Sequence, residues 1–311
     1  MTYFTICVPA YNRAHTILRT LESIKTQFFS SYEVVIVDDG SKDDTTATVQ
    51  KYIQENGLQD RFFYYYKENG GKHTALNFGI EKAQGEFFVI LDSDDWLIDN
   101  ALENLHAYCE KIADDESYCG VMGKSINSAT GEIIGDLFDL TDPKSSYFDY
   151  HFIIPQTKNV VDCFEANKTK ILKQYRFPEP ENVKFVPEAW MFDQIGVQYH
   201  LLLTNDTFRL VEYMADGITS DSGLKQRNAV GFLYHYVSRL ENVLPKKKLS
   251  FALRLKLYTV AWWRYWQCVK LDKSKKGPRV KRVTFFGFLM KLGTPLLTFV
   301  AKRKYKDKNR I

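Results

Sequence analysis

The sequence predicts an α/β fold built on a doubly wound nucleotide-binding sheet, and three observations carry the prediction. Four short, nearly continuous apolar runs occupy residues 4–8, 33–37, 61–66 and 86–91. Helix-period patterns fill the intervals between them. The 311 residues are 45% hydrophobic and 26% charged, the composition of a folded globular chain, which excludes a disordered or fibrous one. The runs start about 25 to 30 residues apart, the size of a βαβ unit.

Each run reads as a strand buried on both faces of a parallel sheet. The first connector places Ile17, Leu18, Leu21 and Ile24 on one helical face. The second does so with Val49, Tyr52 and Ile53, and the third with Ala75, Leu76, Gly79, Ile80 and Ala83. Alternating strands and helices give a doubly wound sheet, in which ligands bind beyond the carboxyl ends of the strands. The residues after each run therefore matter most. They are Pro9-Ala10-Tyr11-Asn12, Asp38-Asp39-Gly40-Ser41, Asn69-Gly70-Gly71-Lys72-His73 and Asp92-Ser93-Asp94-Asp95. All four polar clusters fall on one edge.

Three carboxylates after the fourth run, Asp92, Asp94 and Asp95, repel one another and raise one another's pKa. A divalent cation removes that cost, and hard oxygen ligands suit Mg²⁺ or Mn²⁺ with diphosphate oxygens completing the shell. The same residues also read as a solvated loop capping the next helix. Asp38-Asp39-Gly40-Ser41 reads either as a turn and N-cap or as a carboxylate that accepts the imide N–H of uracil, with Tyr11 stacking on the base or simply packing. Asn69-Gly70-Gly71-Lys72-His73 opens a helix. Its glycines admit a close ligand, the helix N-terminus favours an anion, and Lys72 adds charge. His73 reads as a satisfied surface histidine or as a contact to the same ligand.

Together, Val8-Pro9-Ala10-Tyr11-Asn12, Val37-Asp38-Asp39-Gly40-Ser41, residues 69–77 and Leu91-Asp92-Ser93-Asp94-Asp95 resemble the family 2 glycosyltransferases of GT-A fold, bacterial capsule and exopolysaccharide type, over about residues 4–100. The resemblance implies inverting transfer from a UDP-sugar with Mn²⁺ or Mg²⁺. It implies that Pro9, Tyr11, Asn12, Asp39, Gly71, Lys72, Asp92 and Ser93 hold the nucleotide-sugar, and that Asp94 and Asp92 hold the metal. It divides residues 1–245 into a nucleotide-sugar half, 1–119, and an acceptor half, 120–245.

Beyond residue 120 the strand–helix rhythm weakens, and Phe177-Pro178-Glu179 and Phe185-Val186-Pro187-Glu188-Ala189-Trp190 stand out. The second resembles the segment that supplies the catalytic base at a helix start in polysaccharide members of the family. Inverting transfer needs a carboxylate to take the acceptor proton, a contribution typically worth ~10²–10⁴ in rate. Glu188 is the candidate, with Asp193 second; Pro followed by Glu is also how an ordinary helix begins. The Q-x-x-R-W motif of processive synthases is absent, which points to transfer of single sugars. Residues 212–219 resemble the family's closing segment, where Tyr213 and Asp216 would shape the site.

The net charge of +4 conceals an asymmetry. Residues 246–311 hold 20 Lys/Arg and 2 Asp/Glu, a local +18, while residues 1–245 hold 22 and 36, or −14. Trp262, Trp263, Tyr265 and Trp266 sit among basic residues, and 285–301 is apolar except for Lys291, with Gly293 and Pro295 interrupting it. This pattern suits a helical tail lying in an anionic membrane interface better than a span, which needs about 20 apolar residues. No recognition motif accompanies the charge, which argues against nucleic acid. Five scattered cysteines, without a CxxC pair, suggest neither zinc nor disulfides. With no basic n-region before the first strand, the expected place is the cytoplasm, peripheral to the inner face of the membrane, where a lipid-linked saccharide is the expected acceptor. Two other readings remain. A nucleotidyltransferase of related fold needs its Gly-rich loop directly after the first strand, where Pro9-Ala10-Tyr11-Asn12 stands. A non-catalytic nucleotide-sugar-binding or scaffold protein would not need Asp39, Asp92, Asp94 and Glu188.

Overall fold

The computed structural model describes residues 2–214 and 223–304. The four apolar runs form β1 (Phe4–Ala10), β2 (Tyr32–Asp38), β3 (Phe62–Tyr66) and β4 (Phe87–Ile90), connected by α1 (Ile17–Lys25), α2 (Thr45–Glu55) and α3 (Lys72–Lys82). They pair in parallel, with Phe4 opposite both Tyr32 and Phe87. Strand β1 therefore has β2 on one side and β4 on the other. The winding reverses there, opening a crevice at the carboxyl ends of the strands.

The chain continues through β5 (Trp96–Leu97), α4 (Ala101–Cys109), β6 (Tyr118–Asn127), β7 (Lys144–Ser145), β8 (Phe164–Lys168), α5 (Thr169–Leu172), α6 (Ala189–Gln198) and β9 (His200–Val211). Strand β8 inserts antiparallel between β4 and β6. Among the described residues this gives a nine-stranded sheet in the order β3-β2-β1-β4-β8-β6-β9-β5, with β7 paired to β9. The expected division at 119/120 falls within β6, so the two halves share one sheet.

Helices cover both faces. Ile17, Leu21 and Ile24 of α1, Val49 and Ile53 of α2 and Leu102 and Leu105 of α4 pack into a first core. Ala75, Leu76 and Ile80 of α3 and Met191, Phe192 and Ile195 of α6 pack into a second core on the opposite face. Leu18 was expected on the buried face of α1 and is exposed, while Thr20 is buried and donates its hydroxyl to the Asp95 carbonyl.

The C-terminal region forms α7 (Leu224–Arg227), α8 (Ala229–Ser238), α9 (Phe251–Leu271) and α10 (Phe285–Lys304). A third core joins Phe148 and Phe152 to Leu233 and Tyr236 of α8, Trp262 and Tyr265 of α9 and Met290 of α10. This core crosses the expected boundary at 246. The reason is physical: the apolar stripe of α9 must be covered, and α8 and α10 cover it. Trp262 and Tyr265 consequently face protein. Gly293 and Pro295 do not end α10; the helix runs through Pro295. The final basic run, 302–310, lies outside the described residues from 305 onward.

Candidate functional site

The carboxyl ends of β1, β2 and β4 and the start of α3 converge, as the spacing of the four polar clusters requires. Asn12 stitches β1 to β2: its backbone N–H donates to Ser41 Oγ (2.9 Å) and its Oδ1 accepts from the Lys42 amide (2.8 Å). Its φ of 53° turns the chain so that Tyr11, 42% exposed, stands at the rim. Pro9 lies within β1 opposite Val37. Asp38 braces the second loop by accepting from the Ser41 amide (2.7 Å) and the Tyr64 hydroxyl (2.8 Å).

Asp39 is buried, and its carboxylate gathers the glycine loop. One oxygen accepts from Lys67 Nζ (2.7 Å) and the Gly70 amide (2.9 Å). The other accepts from the Gly71 amide (2.6 Å) and Asn69 Nδ2 (3.1 Å). These donors fill the roughly four acceptor sites of a carboxylate. Gly71 is required here for two reasons. Its φ is 95°, and a Cβ would stand 1.9 Å from the Lys184 carbonyl oxygen.

The loop delivers Lys72 to the centre of the site. Its ammonium lies 2.5 Å from Asp92 Oδ1 and 2.8 Å from Glu188 Oε1. Glu188 is the N-cap residue of α6, so two helix starts and the end of β4 meet at one cation. Burial opposes the charge on Lys72, but Asp92 and Glu188 outweigh it and hold its pKa above the usual lysine range. Asp92 is held below the usual carboxylate range: burial works against ionisation, and Lys72 and Arg209 overcome it. Asp94 is raised by burial and by Asp92, with Arg13, 3.8 Å away, opposing. Asp95 is raised to about 7 by burial, against its partner Arg209 at 3.0 Å, with Asp92 and Asp94 adding to the rise.

Among the described residues, no three His, Cys, Asp or Glu side chains gather as a preformed metal cage. The site instead offers two carboxylates, Asp92 and Asp94, on one short loop. That donor set fits a hard divalent cation, which takes one or two carboxylates and fills its remaining positions with water and phosphate oxygens.

Two expectations need correction. Asp193, the second candidate for the base, is buried and fully engaged. His151 Nδ1 and Arg239 Nε each lie 2.6 Å from its oxygens. Its pKa is pushed far down: burial opposes, and Arg239 and His151 prevail. It ties α6 to the C-terminal region and cannot serve as a base. His73 is not a surface histidine. It is buried, neither ring nitrogen has a hydrogen-bond partner among the described residues, and burial lowers its pKa to about 4. Ser93 is also buried. Tyr213 donates its hydroxyl to Asp162, and Asp216 lies outside the described residues.

Sequence reasoning missed Arg209, Lys67 and Arg13. Arg209 reaches from β9 to Asp95, Ser125 Oγ (3.0 Å) and the Cys163 carbonyl (3.2 Å), fixing the acidic loop from beneath. Its signal was an arginine set between Phe208 and Leu210.

Residues 5–176, more than half of the chain, match Glycosyl transferase family 2. An uncharacterised glycosyltransferase of Rickettsia typhi is 35% identical over 118 residues, 37% of this chain and 35% of the relative, so the chain spans about a third of that relative's length. The putative glycosyltransferase EpsH of Bacillus subtilis is 34% identical over 261 residues, 82% of this chain and 66% of the relative. The Campylobacter jejuni GalNAc(5)-diNAcBac-PP-undecaprenol beta-1,3-glucosyltransferase is 31% identical over 181 residues, 58% of this chain and 56% of the relative. Among solved structures, S. aureus TarS 1-349 in complex with UDP-GlcNAc aligns with TM-score 0.59 at 18% identity over 97% of this chain and 92% of that one. The mannosyltransferase PcManGT from Pyrobaculum calidifontis, with GDP-Man and Mn²⁺, aligns with TM-score 0.58 at 18% identity over 97% and 84%. These structures share the GT-A fold. With the convergent strand ends, the acidic loop and the matching family, the chain belongs to family 2 of the glycosyltransferases.

Proposed function

We propose that this glycosyltransferase moves a single sugar from a UDP-sugar to a lipid-linked saccharide with inversion at the anomeric carbon, in the synthesis of a surface polysaccharide. The observation that carries the reading is the meeting of Lys72, Asp92 and Glu188 beside Asp94. One end of this cluster suits a diphosphate and the other an incoming hydroxyl. The nucleoside rests on Pro9, Asn12 and Tyr11, with Asp39 accepting the uracil imide N–H in exchange for Lys67. Gly71, Lys72 and the start of α3 face the diphosphate, and Ser93 lies beneath it.

Glu188 takes the proton of the acceptor hydroxyl, whose oxygen bonds to the anomeric carbon on the face opposite the diphosphate. The carbon–oxygen bond to phosphate breaks and its electron pair leaves with UDP, whose charge Lys72 stabilises. A divalent cation, Mn²⁺ or Mg²⁺, held by Asp92 and Asp94 supplies further positive charge to the diphosphate. A UDP-sugar donor and a lipid-linked acceptor are supported by the ligand of TarS and the acceptor named for the Campylobacter relative.

The test is hydrolysis and transfer assayed over a panel of UDP-sugars with Mn²⁺ or Mg²⁺. Asp94→Ala is expected to abolish both activities. Glu188→Gln is expected to retain donor binding and lose transfer by ~10²–10⁴-fold. Full activity in Asp94→Ala removes the metal assignment, and unchanged turnover in Glu188→Gln moves the base elsewhere.

A further inference from the structure

One acidic side chain of the crevice has no role in the scheme above. Glu165 lies in β8, paired with Met122 of β6. The last β4–β8 pair joins Val89 to Ala166, so Glu165 sits one residue past it, level with the end of β4 and just before the acidic loop. Its neighbours Phe164 and Ala166 belong to the first core, so strand alternation turns Glu165 to the opposite face. There Met122 and Cys163 join the second core, beneath α3 and α6, whose N-termini carry Lys72 and Glu188.

Glu165 is half-buried, and its carboxyl makes no hydrogen bond or ion pair among the described residues. Burial pushes it up to about 8; Arg209 and Lys72 act against the rise, and Glu188 and Asp162 add to it. A half-buried carboxyl that no side chain of the described residues engages is open to a ligand.

We propose that Glu165 is a specificity-determining residue that hydrogen-bonds a ring hydroxyl of the transferred sugar. This rests on the reading of Asp92 and Asp94 as the diphosphate end and Glu188 as the base. The anomeric carbon must then lie between them, and the sugar ring above the β4–β8–β6 floor from which Glu165 rises. A carboxyl accepts from a sugar hydroxyl in either protonation state, and donates to one as well when it is protonated. A site built to pair with a hydroxyl rejects analogues that lack it, because its own polar group is then left unpaired.

Calorimetric titration of the full chain with Mn²⁺ tests this, using UDP, UDP-glucose, UDP-galactose and UDP-N-acetylglucosamine. Glu165→Leu is expected to weaken the best-bound UDP-hexose by about 10- to 100-fold while leaving UDP within about twofold. Glu165→Gln, which still donates and accepts, is expected to restore most of the loss, and Glu165→Met serves should the leucine variant not fold. A parallel loss of UDP and UDP-hexose in the apolar variants overturns the proposal in favour of a structural role, and unchanged UDP-hexose binding overturns it outright. Loss of turnover in Glu165→Gln with donor binding intact makes Glu165 a proton-transfer group and also overturns it. Failure of the wild-type chain to bind UDP removes the functional reading itself, and this inference with it.

Discussion

At Lys72, one ammonium joins the acidic loop to the residue proposed as the base, so its charge acts on both ends of the reaction. Its ammonium lies 2.8 Å from a Glu188 oxygen. In the scheme proposed above, an arriving diphosphate would compete for that ammonium and release the oxygen to the acceptor hydroxyl. Lys72→Met is therefore expected to lower kcat by about 10²–10³, the loss typical when one charge-stabilising donor is removed. Steady-state kinetics check this, and a change in KM alone would restrict Lys72 to donor binding. The residues after each apolar run were legible because a parallel sheet must present them at one edge. Their partners were not. Asn77 stood within the quoted motif without a role, and the structure gives it one. Its side chain pairs with both the amide and the carbonyl of Phe177, at 2.9 Å each, pinning a segment 100 residues away to α3.

At the scale of elements, α6 is held at two points. At its start, Gly231 of α8 lies against the Phe185 carbonyl, where a Cβ would approach to 1.8 Å. In its middle, Asp193 binds His151 and Arg239, with His235 Nδ1 4.0 Å away. His235 is buried and its pKa is depressed, by burial first and then by Arg239, so it is neutral and its approach to Asp193 is not an ion pair. Both groups give stability the same pH sign. The unfolded chain binds a proton at His235 below its ordinary pKa of about 6.5, and at Asp193 below about 3.9, while the folded chain resists both. Their contributions to thermal stability are expected to decline as pH drops below about 6.5 and again below about 4. His73 adds to the first decline, and Asp95 and Glu165, whose raised pKa values favour the folded chain as pH falls, oppose it. His235→Leu is expected to flatten the first decline in Tm measured by calorimetry. An unaltered profile would separate His235 from it. This cluster was not legible because its members lie far apart in sequence.

For the whole molecule, the charge asymmetry becomes a surface question. No described helix is long and apolar enough to cross a membrane. Trp262 and Tyr265, which looked available to lipid, fill the third core. Phe285, 78% exposed, with Phe288, Leu289 and Leu292, forms an outward stripe on α10, spaced to share one helical face. Exposed Lys281 and Arg282 precede it. This stripe, rather than the indoles of α9, is therefore the apolar surface of the described tail on which a test of membrane binding should fall. Because α9 supplies the third core, truncation at 246 would test folding rather than binding. Phe288→Ser with Leu292→Ser is expected to leave Tm unchanged and to reduce sedimentation with vesicles containing anionic phosphatidylglycerol. Vesicle binding equal to wild type would place the contact elsewhere.

The sequence by itself determined the α/β class, the four parallel strands, the edge on which the polar clusters fall and the family. Buried strands and their βα turns are local patterns, and their periods are written in consecutive residues. Only the tertiary structure decided that Asp39 gathers the glycine loop, that Asp193 is consumed in an ion cluster, that Arg209 and Glu165 belong beside the acidic loop, and that the basic tail shares a core with residues before 246. Those outcomes depend on which strand inserts beside β4 and which helix covers α9. Such pairings are settled by long-range burial and charge compensation between residues far apart in the chain.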